Sequence, residues 1–151
     1  MKKLKVKKAM FDKQIVLTQI SDIDATLTLT KDTEYPMYGI SIVKNKYKNK
    51  EKFIKLDMVL LSKKAAQTLV GWYNLGIGVS DTKFDEPLFL RCDCFSELLE
   101  IVYDKEEHCF YANIWDNYFL QYNKRVFASS VQFKIEDLKR LVESIVNDKI
   151  S

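Results

Sequence analysis

Lys44, Lys46, Lys48, Lys50 and Lys52 form the most specific chemical pattern in the 151-residue chain, five lysines spaced strictly two apart. Each residue of an extended chain advances about 3.3 Å, so these ammonium groups would stand on one face at intervals of about 6.6 Å. Such a ladder suits the phosphates of an extended single strand of nucleic acid. Tyr47 offers a stacking surface on the opposite face, and Tyr35, Tyr38, Phe53 and Trp72 add aromatic groups in the same half. The competing reading is a solvated loop, or an edge strand studded with lysine to prevent edge-to-edge pairing. A helix is disfavoured because the asparagines and tyrosine between the lysines provide no apolar stripe.

Cys92, Cys94, His108 and Cys109 are the one set that could coordinate zinc. Their spacing works against it. Adjacent residues of a strand point to opposite faces, so His108 and Cys109 diverge while Cys92 and Cys94 share a face, and at most three converge. Buried or half-buried cysteines are expected instead, with no metal. His108 is the only histidine, and the chain has no glycine-rich phosphate loop, nucleophile elbow or paired-histidine motif. No catalytic residue and no cofactor is therefore expected, and Asp104, Glu106 and Glu107 read as solubilising turn residues.

The elements that would position these groups are clearest at Glu97–Trp115, where apolar residues alternate up to the charged turn Asp104-Lys105-Glu106-Glu107 and an aromatic-rich run follows. Seventy-two residues earlier the same plan occurs. Leu27 matches Leu99, Leu29 Ile101, Asp32 Asp104, Glu34 Glu106, Ile42 Ile114 and Asn45 Asn117. Onward in the same register, Lys52 matches Lys124, Val59 Val131, Leu69 Leu141 and Val70 Val142. Nine of the 58 positions from Ile15 to Trp72 are identical in the two copies, so shared phase of strands, turn and helix carries the repeat more than identity does.

Each copy reads as ββββα. Strands are predicted over Ile15–Ile20, Ala25–Thr30, Tyr38–Val43 and Phe53–Leu61, with Gly39 at a bulge or under a crossing side chain. Ser62 is a good N-cap for a helix striped by Ala65, Ala66, Leu69, Val70 and Tyr73, and Gly76 is placed past its end as a stop. The second copy is predicted from Pro87–Cys94 through the hairpin to a strand over Arg125–Phe133 and a helix faced by Ile135, Leu138, Leu141, Val142 and Ile145. Lys134 is a poor cap there, so that helix start is open to displacement. The organisation is a basic arm (1–14), a first repeat (15–76), a linker (77–86) and a second repeat (87–151). A unit of about 70 residues struggles to bury enough apolar surface alone, so an α+β pseudo-dimer of two packed repeats is expected.

Composition agrees with a folded chain, at 47% hydrophobic and 30% charged. No apolar segment is long enough to span a bilayer and the basic start lacks a secretory core, so a cytoplasmic protein is expected. Three cysteines cannot all pair within one chain, which also favours a reducing compartment. The net charge of +3 conceals a split: residues 1–80 hold 15 lysines against 7 acidic residues, and residues 81–151 hold 9 basic against 14 acidic. One half at +8 and the other at −5 fits either a polyanion-binding half or halves that attract each other.

Two successive ββββα units of this size resemble the PC4, PUR and Whirly group of single-stranded nucleic-acid-binding proteins, over Ile15 to about Asn147. The resemblance implies curved antiparallel sheets, each closed by a helix, that pack by dimerisation or tandem repetition and bind without catalysis. The residues implied to contact nucleic acid are Lys44, Lys46, Tyr47, Lys48, Lys50, Lys52 and Lys55 in the first copy and Trp115, Tyr118, Tyr122, Lys124 and Arg125 in the second. The acidic second copy departs from a pair of basic faces. The segment around the 97–115 hairpin also looks like small proteins of phages and mobile elements, which supplies the alternative of a protein partner: a host defence protein or nuclease inhibited through Asp104, Glu106, Glu107, Asp116, Trp115, Tyr118 and Tyr122. A homodimer is compatible with either reading.

Overall fold

The computed structural model describes residues 14–45, 57–78, 84–91, 97–116 and 126–148. The first half contains β1 (Gln14–Ser21), β2 (Ala25–Asp32), β3 (Met37–Lys44), β4 (Asp57–Ser62) and helix α1 (Lys63–Gly78). The second contains β5 (Leu88–Arg91), β6 (Glu97–Asp104), β7 (Cys109–Asp116), β8 (Val126–Phe133) and α2 (Ile135–Val146). Each set of four strands forms an open antiparallel sheet in sequence order, β1-β2-β3-β4 and β5-β6-β7-β8. The fold is thus α+β, with two ββββα units. No helix among the described residues is long and apolar enough to cross a membrane.

The register of pairing reproduces the 72-residue offset. Leu27 faces Ile42 as Leu99 faces Ile114, Ile40 faces Val59 as Ala112 faces Val131, and Tyr38 faces Leu61 as Phe110 faces Phe133. Helices α1 and α2 begin 72 residues apart. The two hairpin turns are built alike: Asp32 Oδ1 accepts the N–H groups of Glu34 and Tyr35, and Asp104 Oδ1 those of Glu106 and Glu107. This is the Asx geometry that short acidic side chains favour. The first strand is the exception. Ile20 faces Leu27 while Leu90 faces Leu99, an offset of 70, because the connection from β1 to β2 is two residues shorter than that from β5 to β6; β1 also carries an irregularity between Val16 and Thr18.

Residues of both halves occupy one hydrophobic cluster, including Leu27, Leu29, Ile40 and Leu61 from the first sheet, Leu99, Ile101, Phe110 and Ile114 from the second, and Leu69 and Leu138 from the helices. The contacts between halves are reciprocal. α1 lies against β5 and α2 against β1, while β4 neighbours β5 and β6 as β8 neighbours β1 and β2. Polar ties accompany them: Asp22 Oδ2 accepts the Gln132 N–H at 2.7 Å, and Arg140 donates to the Gln19 carbonyl at 2.9 Å.

Three local expectations are refined. α1 runs through Gly76 to Gly78, so Gly76 is not a stop: it is buried under the ring of Phe84, and a Cβ there would overlap that ring. Glycine permits close approach, and that is its use here. α2 starts directly after Lys134 without displacement, because the Asp137 carboxylate accepts the Lys134 N–H at 3.1 Å and supplies the cap contact that lysine cannot. Gly39 sits under a crossing side chain and not at a bulge; Thr30 Oγ1 lies over it and donates to its carbonyl at 3.4 Å. The predicted strand portions at 53–56, 92–94 and 125 lie outside the described residues.

The pseudo-equivalent ends of the core differ in chemistry. At one, Asp148 beyond α2 accepts the Tyr38 hydroxyl at 2.9 Å and pairs with Lys31 at 2.9 Å. At the other, the matching positions are Tyr103 and Phe110, and Phe84 fills the space with ring centroids 6.0 and 5.0 Å from them and 4.8 Å from Trp72. One end is closed by an ion pair and a hydroxyl, the other by aromatic packing.

Candidate functional site

Lys44 is the last residue of β3, opposite Ala25 in the β2–β3 register, and its side chain is exposed. The chain leaves this strand along a fixed course. Asn45 donates its backbone N–H to the Asp24 carbonyl at 2.8 Å and its side-chain amide to the Asp22 and Ile23 carbonyls at 3.1 and 3.3 Å, and its Oδ1 accepts the Thr26 hydroxyl at 2.7 Å. The entry to the lysine ladder is therefore pinned over the β1–β2 turn. Lys46, Tyr47, Lys48, Lys50, Lys52 and Lys55 lie outside the described residues, as do Tyr118, Tyr122, Lys124 and Arg125.

Trp115 is half-buried near the end of β7, on the sheet face turned away from the core. Its indole N–H donates to Glu100 Oε1 at 3.1 Å, and the Asn113 amide donates to the same oxygen at 2.9 Å. Ser130 donates in turn to Asn113 Oδ1 at 2.7 Å. A continuous line of directed hydrogen bonds thus crosses β8, β7 and β6. Glu100, Asn113 and Ser130 were not among the residues singled out from the sequence. The alternation Leu98-Glu100-Val102 held the signal, since a glutamate between two apolar residues on one face of a strand needs a partner across the strand.

The same face of the first sheet is built differently. Thr26, Thr28, Thr30 and Ser41 are all buried there, and the threonines bond to neighbours: Gln19 donates to Thr28 at 3.2 Å, and Ser21 and Thr26 bond at 2.9 Å. Thr28 occupies the position of Glu100, Ser41 that of Asn113 and Val43 that of Trp115. Lys44 likewise matches Asp116, so the two copies carry opposite charge at the same strand end.

Two members of the cysteine and histidine set, His108 and Cys109, lie among the described residues. Cys109 is buried and accepts a hydrogen bond from the Gln132 amide at 3.2 Å, whereas His108 is exposed in the turn with a left-handed φ of 52°. Cys92 and Cys94 lie outside the described residues. Among the described residues no group of three or more His, Cys, Asp or Glu side chains could hold a metal ion. The Tyr111 hydroxyl, on the same strand face as Cys109, is raised from its ordinary pKa, first by its hydrogen bond to the cysteine and then by the charge the thiol can carry. A cavity of about 500 Å³ opens at the start of α2, lined by Asp22, His108, Cys109, Gln132, Glu136 and Asp137 among others. Two of its carboxylates serve the fold: Asp22 holds the N–H groups of Asp24, Ala25 and Gln132, and Asp137 caps α2. Compared with known proteins, the chain matches no family model and no curated sequence.

Proposed function

We propose that this chain is a non-enzymatic single-stranded nucleic-acid-binding protein whose two ββββα units form a pseudo-dimer of the PC4, PUR and Whirly kind. The observation that carries the reading is the reiteration of strand register, Asx turn and helix start at a 72-residue offset, together with the reciprocal contacts of each helix and fourth strand with the opposite half. That is the plan on which such proteins present paired sheets to a single strand. The basic first copy supplies the phosphate contacts, beginning at the exposed Lys44 and continuing through the ladder to Lys55. Trp115, Tyr118, Tyr122, Lys124 and Arg125 extend the contact on the second copy. The binding is independent of sequence, because ammonium groups and ring faces read phosphate and π surface without distinguishing bases.

The experiment is a fluorescence-anisotropy titration of a labelled 20-nucleotide single strand and of its duplex at about 150 mM salt, where screening and counterion competition have already weakened loose contacts. Micromolar or tighter binding with preference for the single strand supports the proposal. Equal binding to both, or binding to neither, contradicts it.

A further inference from the structure

We propose, on the reading that the chain binds a single strand, that Ile23 is a nucleobase contact: its side chain, at the tip of the β1–β2 turn, meets one base of the strand whose phosphates enter the lysine ladder at Lys44. Ile23 is 91% exposed, more than any other large apolar side chain among the described residues, and it takes no part in the hydrophobic cluster. Its backbone is nonetheless fixed. Asp22 Oδ1 accepts the N–H groups of Asp24 and Ala25, each at 2.7 Å, and the Asp22 N–H donates to the Ala25 carbonyl at 2.9 Å. Asp22 Oδ2 accepts the Gln132 N–H from the other half at 2.7 Å. The carbonyls of Asp22, Ile23 and Asp24 all accept from Asn45, the residue after Lys44. A surface turn can leave its carbonyls to water. Here all three hold the residue that leads into the ladder, so Ile23 and the ladder's entrance form one rigid piece.

Glycine and short polar residues are the usual occupants of tight turns, and a β-branched apolar side chain left in water adds nothing to the packing of this fold. In the 72-residue register Ile23 matches Phe95, so the second copy also carries a large apolar residue between β5 and β6. The charges beside Ile23 decide which part of a nucleotide it meets. Lys44 is exposed and attracts phosphate, whereas Asp24 is exposed and repels it. Asp22 has both carboxylate oxygens committed to N–H donors. The phosphate is therefore drawn to the lysine and the base is left against Ile23. Branched apolar side chains of this size are among those that pack on or between bases, and one that is already held in place loses little freedom on contact. The contact is with the ring surface, so it adds affinity without selecting a base.

The test follows the δ1 methyl resonance of Ile23 in the full-length protein, assigned by its disappearance in Ile23→Ser, during titration with a 20-nucleotide single strand of mixed sequence at about 150 mM salt. A saturable upfield shift is expected, because the ring current of a stacked base shields the methyl group, and inorganic polyphosphate, which carries the charge and no rings, should give none. Ile23→Ser should weaken binding about threefold to tenfold by removing apolar contact, with the salt slope unchanged because no phosphate contact is lost. Ile23→Leu should recover most of that loss. A stationary methyl signal while the native chain binds the strand, native affinity in Ile23→Ser, an equal shift with polyphosphate, or a shift that follows protein concentration alone would overturn the assignment and leave the single-strand reading standing. Absence of any binding by the native chain would refute both.

Discussion

Replacing Gly76 by alanine sets two known effects against each other at one atom. Within the helix interior the substitution should stabilise by about 1 kcal/mol, because alanine loses less backbone entropy than glycine. The new methyl group, however, would overlap the Phe84 ring, which is itself wedged among Trp72, Tyr103 and Phe110 and cannot swing away freely. Overpacking of this kind costs about 1–3 kcal/mol, so the single variant should be destabilised by up to about 2 kcal/mol. Phe84→Ala alone should cost about 3–5 kcal/mol by emptying the site. In that background the ring is gone and Gly76→Ala should stabilise by about 1 kcal/mol. The coupling in the double-mutant cycle is then the overpacking term itself, about 1–3 kcal/mol, measured by urea denaturation with unchanged m-values. Additive effects within about 0.5 kcal/mol would refute the docking of Phe84 on α1, and with it the aromatic closure that joins the two halves at this end.

Tyr38 tests the other end. Its hydroxyl is raised well above the ordinary tyrosine value, first by burial and then by its hydrogen bond to Asp148 and the charge of that carboxylate. A raised folded-state value means that its contribution is complete below the unfolded value of about 10 and is lost as pH rises through the folded one. The Tm of the native chain should therefore fall more steeply above about pH 10 than that of Tyr38→Phe, and parallel curves would contradict the assignment. At the helix starts, Ser62→Ala should cost about 1 kcal/mol by removing the acceptor of the Ala65 N–H. Asp137→Ala should cost a similar amount and Lys134→Ala close to none, since the α2 cap comes from Asp137; chemical denaturation of the three variants checks the order.

The repeat was legible because residues that must pair or turn in the same way recur in the same order. Leu27 and Ile42, Leu99 and Ile114, and the paired aspartates Asp32 and Asp104 are local signals that survive divergence elsewhere. The helix through Gly76 was not legible, because glycine reads as a stop until a partner distant in the fold demands its missing Cβ. The cap of α2 was hidden for a related reason: the capping group sits at the third helical position and not at the cap itself. Glu100 was visible as a residue but not as a site, since its meaning lies in Asn113 and Trp115 on the next strand and Ser130 on the one beyond. The predicted strand ends at Val43 and β3 runs one residue further to Lys44, whereas Asn45, which fixes how the chain departs, carries no sequence pattern of its own.

The central claim, that the lysine ladder holds single-stranded nucleic acid, is tested most directly by the salt dependence of binding to an oligothymidine strand, in the native chain and in a variant with Lys46, Lys48 and Lys50 changed to alanine. If four or five lysines neutralise phosphates, log affinity should fall against log salt with a slope of about −3, from about −0.7 per phosphate on a single strand. The triple variant should bind more weakly with a slope shallower by about 2. An unchanged slope in that variant, with affinity intact, would contradict the account.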